Sequence, residues 1–169
     1  MRGANALTTA KLYFFRHGDA GDKSAWSGDD RERPLSPIGR IEAQGVSSRL
    51  AEMRFAPEVI ITSPLARASQ TAEILAAELP GVPLLVDNRL APGFAVRELA
   101  ELLAENRDAR RIVFVGHDPA FSSVIESVTG ARIRIRKGGL ARVEIDDESG
   151  PSGVLTWLAT PRLMGVEDE

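Results

Sequence analysis

Three stretches of this chain carry no polar position: Leu12-Tyr13-Phe14-Phe15, Val59-Ile60-Ile61 and Ile112-Val113-Phe114-Val115. A strand covered on both faces reads this way, whereas one with a wet face alternates. The pattern predicts parallel strands at about 11–15, 58–62, 82–86 and 110–115. Between them lie segments with helical grammar. Ser36 and Pro37 supply an N-cap and a first-turn proline, and Ile38, Ile41, Ala43, Val46, Leu50 and Met53 form an approximate stripe. Ser63-Pro64 predicts a second start by the same logic, with a helix running to about Leu79 and stopped by Pro80-Gly81. Further helices are expected over 95–105 and 119–128, the last closed by Gly130.

After Gly130 the pattern changes. Arg132-Ile133-Arg134-Ile135-Arg136 alternates strictly, as a half-exposed strand does. Lys137-Gly138-Gly139 reads as a turn, and 140–145 and 154–159 as strands around a loop at 146–153. These predict an antiparallel flank on a mostly parallel α/β sheet. Residues 1–10 read as a loose arm, 11–160 as one domain, and 161–169 as an acidic tail.

The polar residues gather at the ends of the apolar runs. In open α/β sheets chemistry collects beyond the carboxyl ends of the strands. The first run ends in Arg16-His17-Gly18-Asp19, and the last in Gly116-His117-Asp118-Pro119. These two histidines are the chain's full complement. The middle run leads through Thr62-Ser63-Pro64 to Arg67. Gly18 is expected to let the backbone turn and approach a ligand. Guanidinium groups beside imidazoles suit an anionic substrate, most simply a phosphate.

Composition narrows the classes. The chain has 169 residues, 43% hydrophobic and 27% charged, the profile of one globular domain. Without cysteine there is no disulfide, no thiolate metal ligand and no Cys nucleophile. A net charge of -3 and 5% aromatics give no case for nucleic acid. No apolar run approaches the ~20 residues of a membrane span, so no membrane partner is expected. Residues 1–10 lack a basic start followed by an apolar core, and a cytoplasmic location is the default expectation.

The motifs RHGDA, SPLARASQTA and GHDP, in this order and each at a strand end, resemble the histidine phosphatase superfamily in its phosphoglycerate mutase-like branch. The short chain and the RHGDA form are most similar to SixA-type phosphohistidine phosphatases. The resemblance covers roughly residues 11 to 160. It implies a three-layer α/β/α sandwich of the phosphoglycerate mutase type. It also implies a catalytic and phosphate-binding set of Arg16, His17, Arg67 and His117, with neither metal nor other cofactor.

In the implied mechanism His17 attacks phosphorus, and water hydrolyses the resulting phosphohistidine. Arg16 and Arg67 bind phosphoryl oxygens, and a protonated His117 adds a donor and positive charge. Many relatives place a general acid on an inserted segment. Here the ~50 residues from Arg67 to His117 are filled by regular elements, with no room for a lid. Asp19 is the first candidate acid and Asp118 the second, where the family more often has asparagine. Either could instead be a cap or loop residue, and the reaction could dispense with an acid, since a phosphorylated imidazole leaves readily.

Plainer roles stand beside the catalytic ones. Arg67 reads alternatively as a helix-surface residue, Ser63 as an N-cap, and Gln70 and Thr71 as packing and solvent residues. Arg33 is expected to pair with Asp30 or another loop acid, with substrate contact as the alternative. Trp26 suits either the core or a partner contact. The basic stretch from Arg132 to Lys137 reads as a charged edge or as a dock for an acidic partner.

Three functions follow from this reading. The first is a metal-independent phosphatase acting on phosphohistidine in a protein, with a histidine phosphotransfer domain as one partner. The second is a phosphomonoesterase for a small phosphate ester. The third is an inactive phosphate-binding module. A monomer is the default expectation.

Overall fold

The computed structural model describes residues 9–146 and 150–166. The expected arm, apart from its last two residues, positions 147–149 of the expected loop and the end of the tail lie outside these residues. The elements run β1 (Ala10–Arg16), α1 (Pro37–Glu52), β2 (Val59–Thr62), α2 (Ala66–Glu78), β3 (Leu84–Val86), α3 (Val96–Glu105), β4 (Arg111–Gly116), α4 (Ala120–Thr129), β5 (Leu140–Asp146) and β6 (Ser152–Ala159).

The strands form one six-stranded sheet in the order β3-β2-β4-β1-β5-β6. The first four strands of the chain are parallel to one another, and β5 and β6 add the antiparallel flank. The uninterrupted apolar runs have their cause in the layering. Leu12, Phe14, Ile61, Ile112 and Phe114 pack with Leu99 and Leu102 of α3 and Phe121, Val124 and Ile125 of α4. The alternate residues Tyr13, Phe15, Ile60, Val113 and Val115 pack with Val46 and Leu50 of α1 and Ala68, Ala72 and Leu75 of α2. Both faces of the central strands are therefore dry, which makes an α/β/α sandwich.

Some local expectations are corrected. The buried face of α1 is Gly39, Ala43, Val46, Ser47 and Leu50. Ile38, Ile41 and Met53, counted in the hydrophobic stripe, are exposed by 53, 63 and 63%. Positions 39, 43, 46 and 50 keep helical spacing, and 38 and 41 fall outside that arc. The alternating stretch after Gly130 joins no ladder. Residues 131–137 run as irregular chain, yet the alternation still sorts the side chains: Ile135 is fully buried while Arg132, Arg134 and Arg136 face outward. Beyond β6, Arg162–Met164 form a short 3₁₀ turn, and Met164 and Val166 pack against the α1–α2 core.

What the fold delivers to function is register. Arg16 pairs with Gly116, and Thr62 with Val115. The backbone N–H groups of His17 and Ser63 donate to Gly116 and Val115, at 3.0 and 2.9 Å. Three strands thus end side by side, and the residues just past them share one edge of the sheet.

Candidate active site

A pocket of about 590 Å³ opens at that edge, with Arg16, His17, Arg67 and His117 on its walls. The four residues expected from the sequence converge there. His17, Arg67 and His117 are only 8, 5 and 6% exposed, and the two imidazole rings lie 5.2 Å apart. Among the described residues no His, Cys, Asp and Glu side chains cluster as metal ligands. The convergent charge is cationic.

His17 is held in one tautomer. Its Nδ1 lies 2.7 Å from the Gly18 carbonyl oxygen. A carbonyl can only accept, so Nδ1 carries the proton and Nε2 keeps a free lone pair. Burial lowers the His17 pKa to about 4, against the opposing effect of the Gly18 carbonyl, and Arg67, Arg16 and Lys137 lower it further. At neutral pH the ring is uncharged and nucleophilic at Nε2.

His117 is oriented by a residue with a different expected role. Its Nε2 lies 2.8 Å from the Ser63 hydroxyl, and its buried Nδ1 has no hydrogen-bond partner among the described residues. Burial first, then the neighbouring His17 and Arg67, lower its pKa to about 3. The open site therefore holds His117 neutral, and the condition that it be protonated is not met there. A neutral ring that accepts from Ser63 at Nε2 presents Nδ1–H as a donor. Ser63 does not cap α2 as expected: the helix begins at Ala66, with Leu65 before it. The serine hydroxyl accepts from Leu65 N at 3.3 Å while engaging the imidazole.

The two arginines are fixed differently. Arg16 donates from Nη1 to the Ile135 carbonyl at 2.7 Å, and its buried Nε has no hydrogen-bond partner among the described residues. Arg67 is fixed by the long loop after β1. It donates to the Asp30 carbonyl oxygen at 2.7 Å and to the Asp30 carboxylate at 3.2 Å. Arg33 pairs with the same carboxylate at 2.9 Å, as its spacing predicts, and also donates to the carbonyls of Ala20 and Gly21. Arg33 thus folds the loop back on itself beside the pocket.

Asp19 is placed where a proton donor is not expected. Its carboxylate accepts from Lys137 at 2.6 Å, from Ser36 at 2.7 Å and from Gly21 N at 2.9 Å. Burial alone would raise its pKa, but these hydrogen bonds outweigh it and bring the value to about 2. Asp19 lines the neighbouring groove, whereas Asp118 lines the pocket itself. The Asp118 Oδ1 accepts from the backbone N–H of Ser122 at 3.2 Å and from its hydroxyl.

Gly18 has a different reason from the one its sequence suggests. A Cβ there would lie 2.8 Å from the Gly39 carbonyl oxygen, and a Cβ on Gly39 would lie 2.0 Å from the Asp19 carbonyl oxygen. The two glycines let the strand end and the start of α1 touch backbone to backbone. Thr71 and Gln70, read as packing residues, also hold the site together. The Thr71 hydroxyl accepts from Gly18 N at 3.2 Å, and the Gln70 side-chain oxygen from Leu35 N at 2.9 Å. Thr71 sits one turn after Arg67 and donates back to its carbonyl at 2.8 Å. That i, i+4 spacing was the one available signal. Trp26 sits on the exposed loop, 38% accessible, with its ring nitrogen donating to the Asp29 carbonyl.

Comparison with known proteins agrees with this geometry. A model of the histidine phosphatase superfamily (branch 1) matches residues 12–92. An uncharacterized protein of Picosynechococcus is 37% identical over 136 residues, covering 77% of this chain and 82% of that protein. An 8-oxo-(d)GTP phosphatase of Mycolicibacterium smegmatis is 37% identical over 89 residues, covering 50% of this chain but 27% of that protein. Among solved structures, the protein histidine phosphatase SixA complexed with tungstate superimposes with a TM-score of 0.79 at 23% identity, covering 90% of this chain and 97% of that one.

Proposed function

We propose that this chain, which belongs to the histidine phosphatase superfamily, is a phosphatase that works through a phosphohistidine on His17 and acts on phosphohistidine in another protein. The observation that carries the chemistry is the neutral His17, with Nδ1–H tied to the Gly18 carbonyl at 2.7 Å. Nε2 attacks phosphorus, and the bond from phosphorus to the leaving nitrogen breaks with its electron pair going to the leaving imidazole. Water then attacks the phosphoryl group on His17, releasing inorganic phosphate and restoring the imidazole.

Arg16 Nε and His117 Nδ1 are buried donors without hydrogen-bond partners among the described residues. They suit phosphoryl oxygens, together with the forked guanidinium of Arg67. A phosphate dianion would reverse the sign of the local field that depresses both histidines, and would draw a proton onto His117 when substrate enters. Asp118 is the carboxylate with the better claim to proton transfer or to orienting water, since it lines the pocket and Asp19 does not.

The choice of a protein substrate rests on access. The segment between Arg67 and His117 is spent on α2, β3, α3 and β4. Among the described residues no inserted segment closes over the pocket, which favours entry of a phosphorylated side chain. The likeness to the SixA fold supports this reading. The second reading, a small phosphate ester, is favoured by the identity shared with the mycobacterial 8-oxo-(d)GTP phosphatase.

The test is phosphate release from a histidine-phosphorylated phosphotransfer domain, compared with sugar phosphates, nucleotides and an aryl phosphate, with His17→Ala as the blank. The expected result is a kcat/KM larger for the phosphoprotein by orders of magnitude, with acid-labile phosphate trapped on the wild type alone. Better turnover of one small phosphate supports the second reading. Binding of phosphate without turnover of any substrate returns the chain to a binding module.

A further inference from the structure

Beside the catalytic pocket lies a second groove of about 790 Å³, lined by Arg134, Arg136, Lys137 and Arg162, with Arg16 at its inner end. Two carboxylates, Asp19 and Glu42, also line it. Lys137 is paired with Asp19, and five cationic side chains, Arg16, Arg134, Arg136, Lys137 and Arg162, line the groove against these two carboxylates. On a chain of net charge -3 this is a local excess of positive charge.

The groove is electrostatically continuous with the active site. Arg16 and Lys137 line both hollows. The charge of Arg134 is felt by Arg16, and that of Lys137 by His17. It is also built rather than incidental. Ile135 is fully buried, its N–H reaches the Ser122 hydroxyl at 3.4 Å, and its carbonyl holds Arg16. Anchoring Ile135 forces Arg134 and Arg136 outward, next to the residue that meets the phosphate.

We infer that this groove docks an acidic face of the phosphorylated protein, seating the phosphohistidine over His17; this rests on the protein-phosphatase reading proposed above. Breadth and composition favour a protein over a second phosphate of a small substrate. Ile38, which is 53% exposed, lines the groove together with the arginines. Arginine beside an exposed apolar residue is what a protein interface uses, and complementary charge steers the encounter.

The test compares the wild type with Arg136→Glu/Arg162→Glu, residues outside the catalytic set. The probes are an acidic histidine-phosphorylated phosphotransfer domain and an aryl phosphate, each at low and moderate salt. The expected result is a KM for the phosphoprotein raised about tenfold or more. Its kcat and the aryl phosphate kinetics stay within about twofold, and the salt dependence of the wild type flattens in the variant. The milder Arg136→Gln/Arg162→Gln pair gives a smaller rise in the same direction and covers any folding defect of the reversal.

Equal phosphoprotein kinetics in wild type and variants overturns the docking inference and leaves the function standing. Loss of activity on both substrates by folded variants also overturns it, because the groove would then act through Arg16. Aryl phosphate turnover by the wild type with none of the phosphoprotein overturns the functional reading, and the docking inference with it.

Discussion

Replacing Asp19 by asparagine separates two roles a carboxylate can play next to a nucleophile. The folded pKa of about 2 lies below the ordinary value of 3.8, because Lys137, Ser36 and Gly21 N outweigh burial. The folded state therefore prefers the ionised form, and the stabilisation is complete above pH 3.8 and lost as pH falls toward 2. A difference of about two units corresponds to about 2.5 kcal/mol at neutral pH. The Asp19 side chain is 29% exposed, so solvent screening reduces this to about 1–2 kcal/mol. For a domain of this size Asp19→Asn should lower Tm by roughly 3–6 °C at pH 7. The gap between variant and wild type should narrow by about half at pH 3. Thermal unfolding measured across pH reads this directly. The companion assay is kcat on an alkyl phosphate, whose poor leaving group needs a proton. A positioning Asp19 predicts a loss within about tenfold, whereas a general acid predicts about 10²–10⁴. An unchanged Tm with a hundredfold drop in kcat on the alkyl phosphate alone would refute the positioning role and return Asp19 to the chemistry.

Ser63→Ala should cost about 1–3 kcal/mol by leaving His117 with two unpartnered ring nitrogens, and should lower kcat more than it raises KM. Ser63→Thr should restore most of the loss, and an alanine variant of wild-type kcat would exclude the orienting role. Gly39→Ala should destabilise by about 1–3 kcal/mol or more, because its Cβ would meet the Asp19 carbonyl oxygen at 2.0 Å; chemical denaturation measures it. The two histidines predict a distinct acid response. Their folded pKa values, about 4 and about 3, lie below the ordinary 6.5, mainly through burial. Stability is then insensitive to them above pH 6.5 and falls below it, at up to about 2.7 kcal/mol per pH unit, as the unfolded chain alone takes up two protons. The enzyme's own acidic limb in kcat/KM should lie near pH 4, and an enzyme limb near 6.5 would mean that His17 is not desolvated.

The sequence made the sheet legible where packing is symmetric. Uninterrupted runs such as Leu12 to Phe15 can only be strands with two dry faces, and the Arg-His and Gly-His ends then fall at one edge by register. It was less informative where one residue type serves two purposes. Ser63-Pro64 has the grammar of a helix start, yet the hydroxyl is taken by His117, 54 positions away, and no local pattern records that. The arginine–isoleucine alternation correctly separated inside from outside. It did not report whether a neighbouring strand was there to complete a ladder. The glycines mislead in the same way. Gly18 looks like a turn, but what it accommodates is the backbone of α1, a contact set by tertiary packing.

The candidate acids show the limit most sharply, because proximity in sequence is not proximity in a site. Asp19 is two residues from His17, but β1 ends at Arg16, so strand alternation no longer sets the direction of its side chain. It turns away to Lys137 and Ser36, into the groove rather than the pocket. Asp30, thirteen residues from His17, instead meets the buried guanidinium of Arg67 at 3.2 Å. That placement has an energetic logic. Burial first, and then the arginines crowded beside them, keep both imidazoles neutral. Asp30 offsets part of that positive charge in the free site without entering the backbone framework around His17. On the proposed phosphatase reading, an arriving phosphate does the same with two negative charges and direct hydrogen bonds. The loop carboxylate and the phosphate then share one guanidinium, and phosphate binding is expected to weaken or rearrange the Asp30–Arg67 contact. On that reading the substrate completes the charge balance of the site.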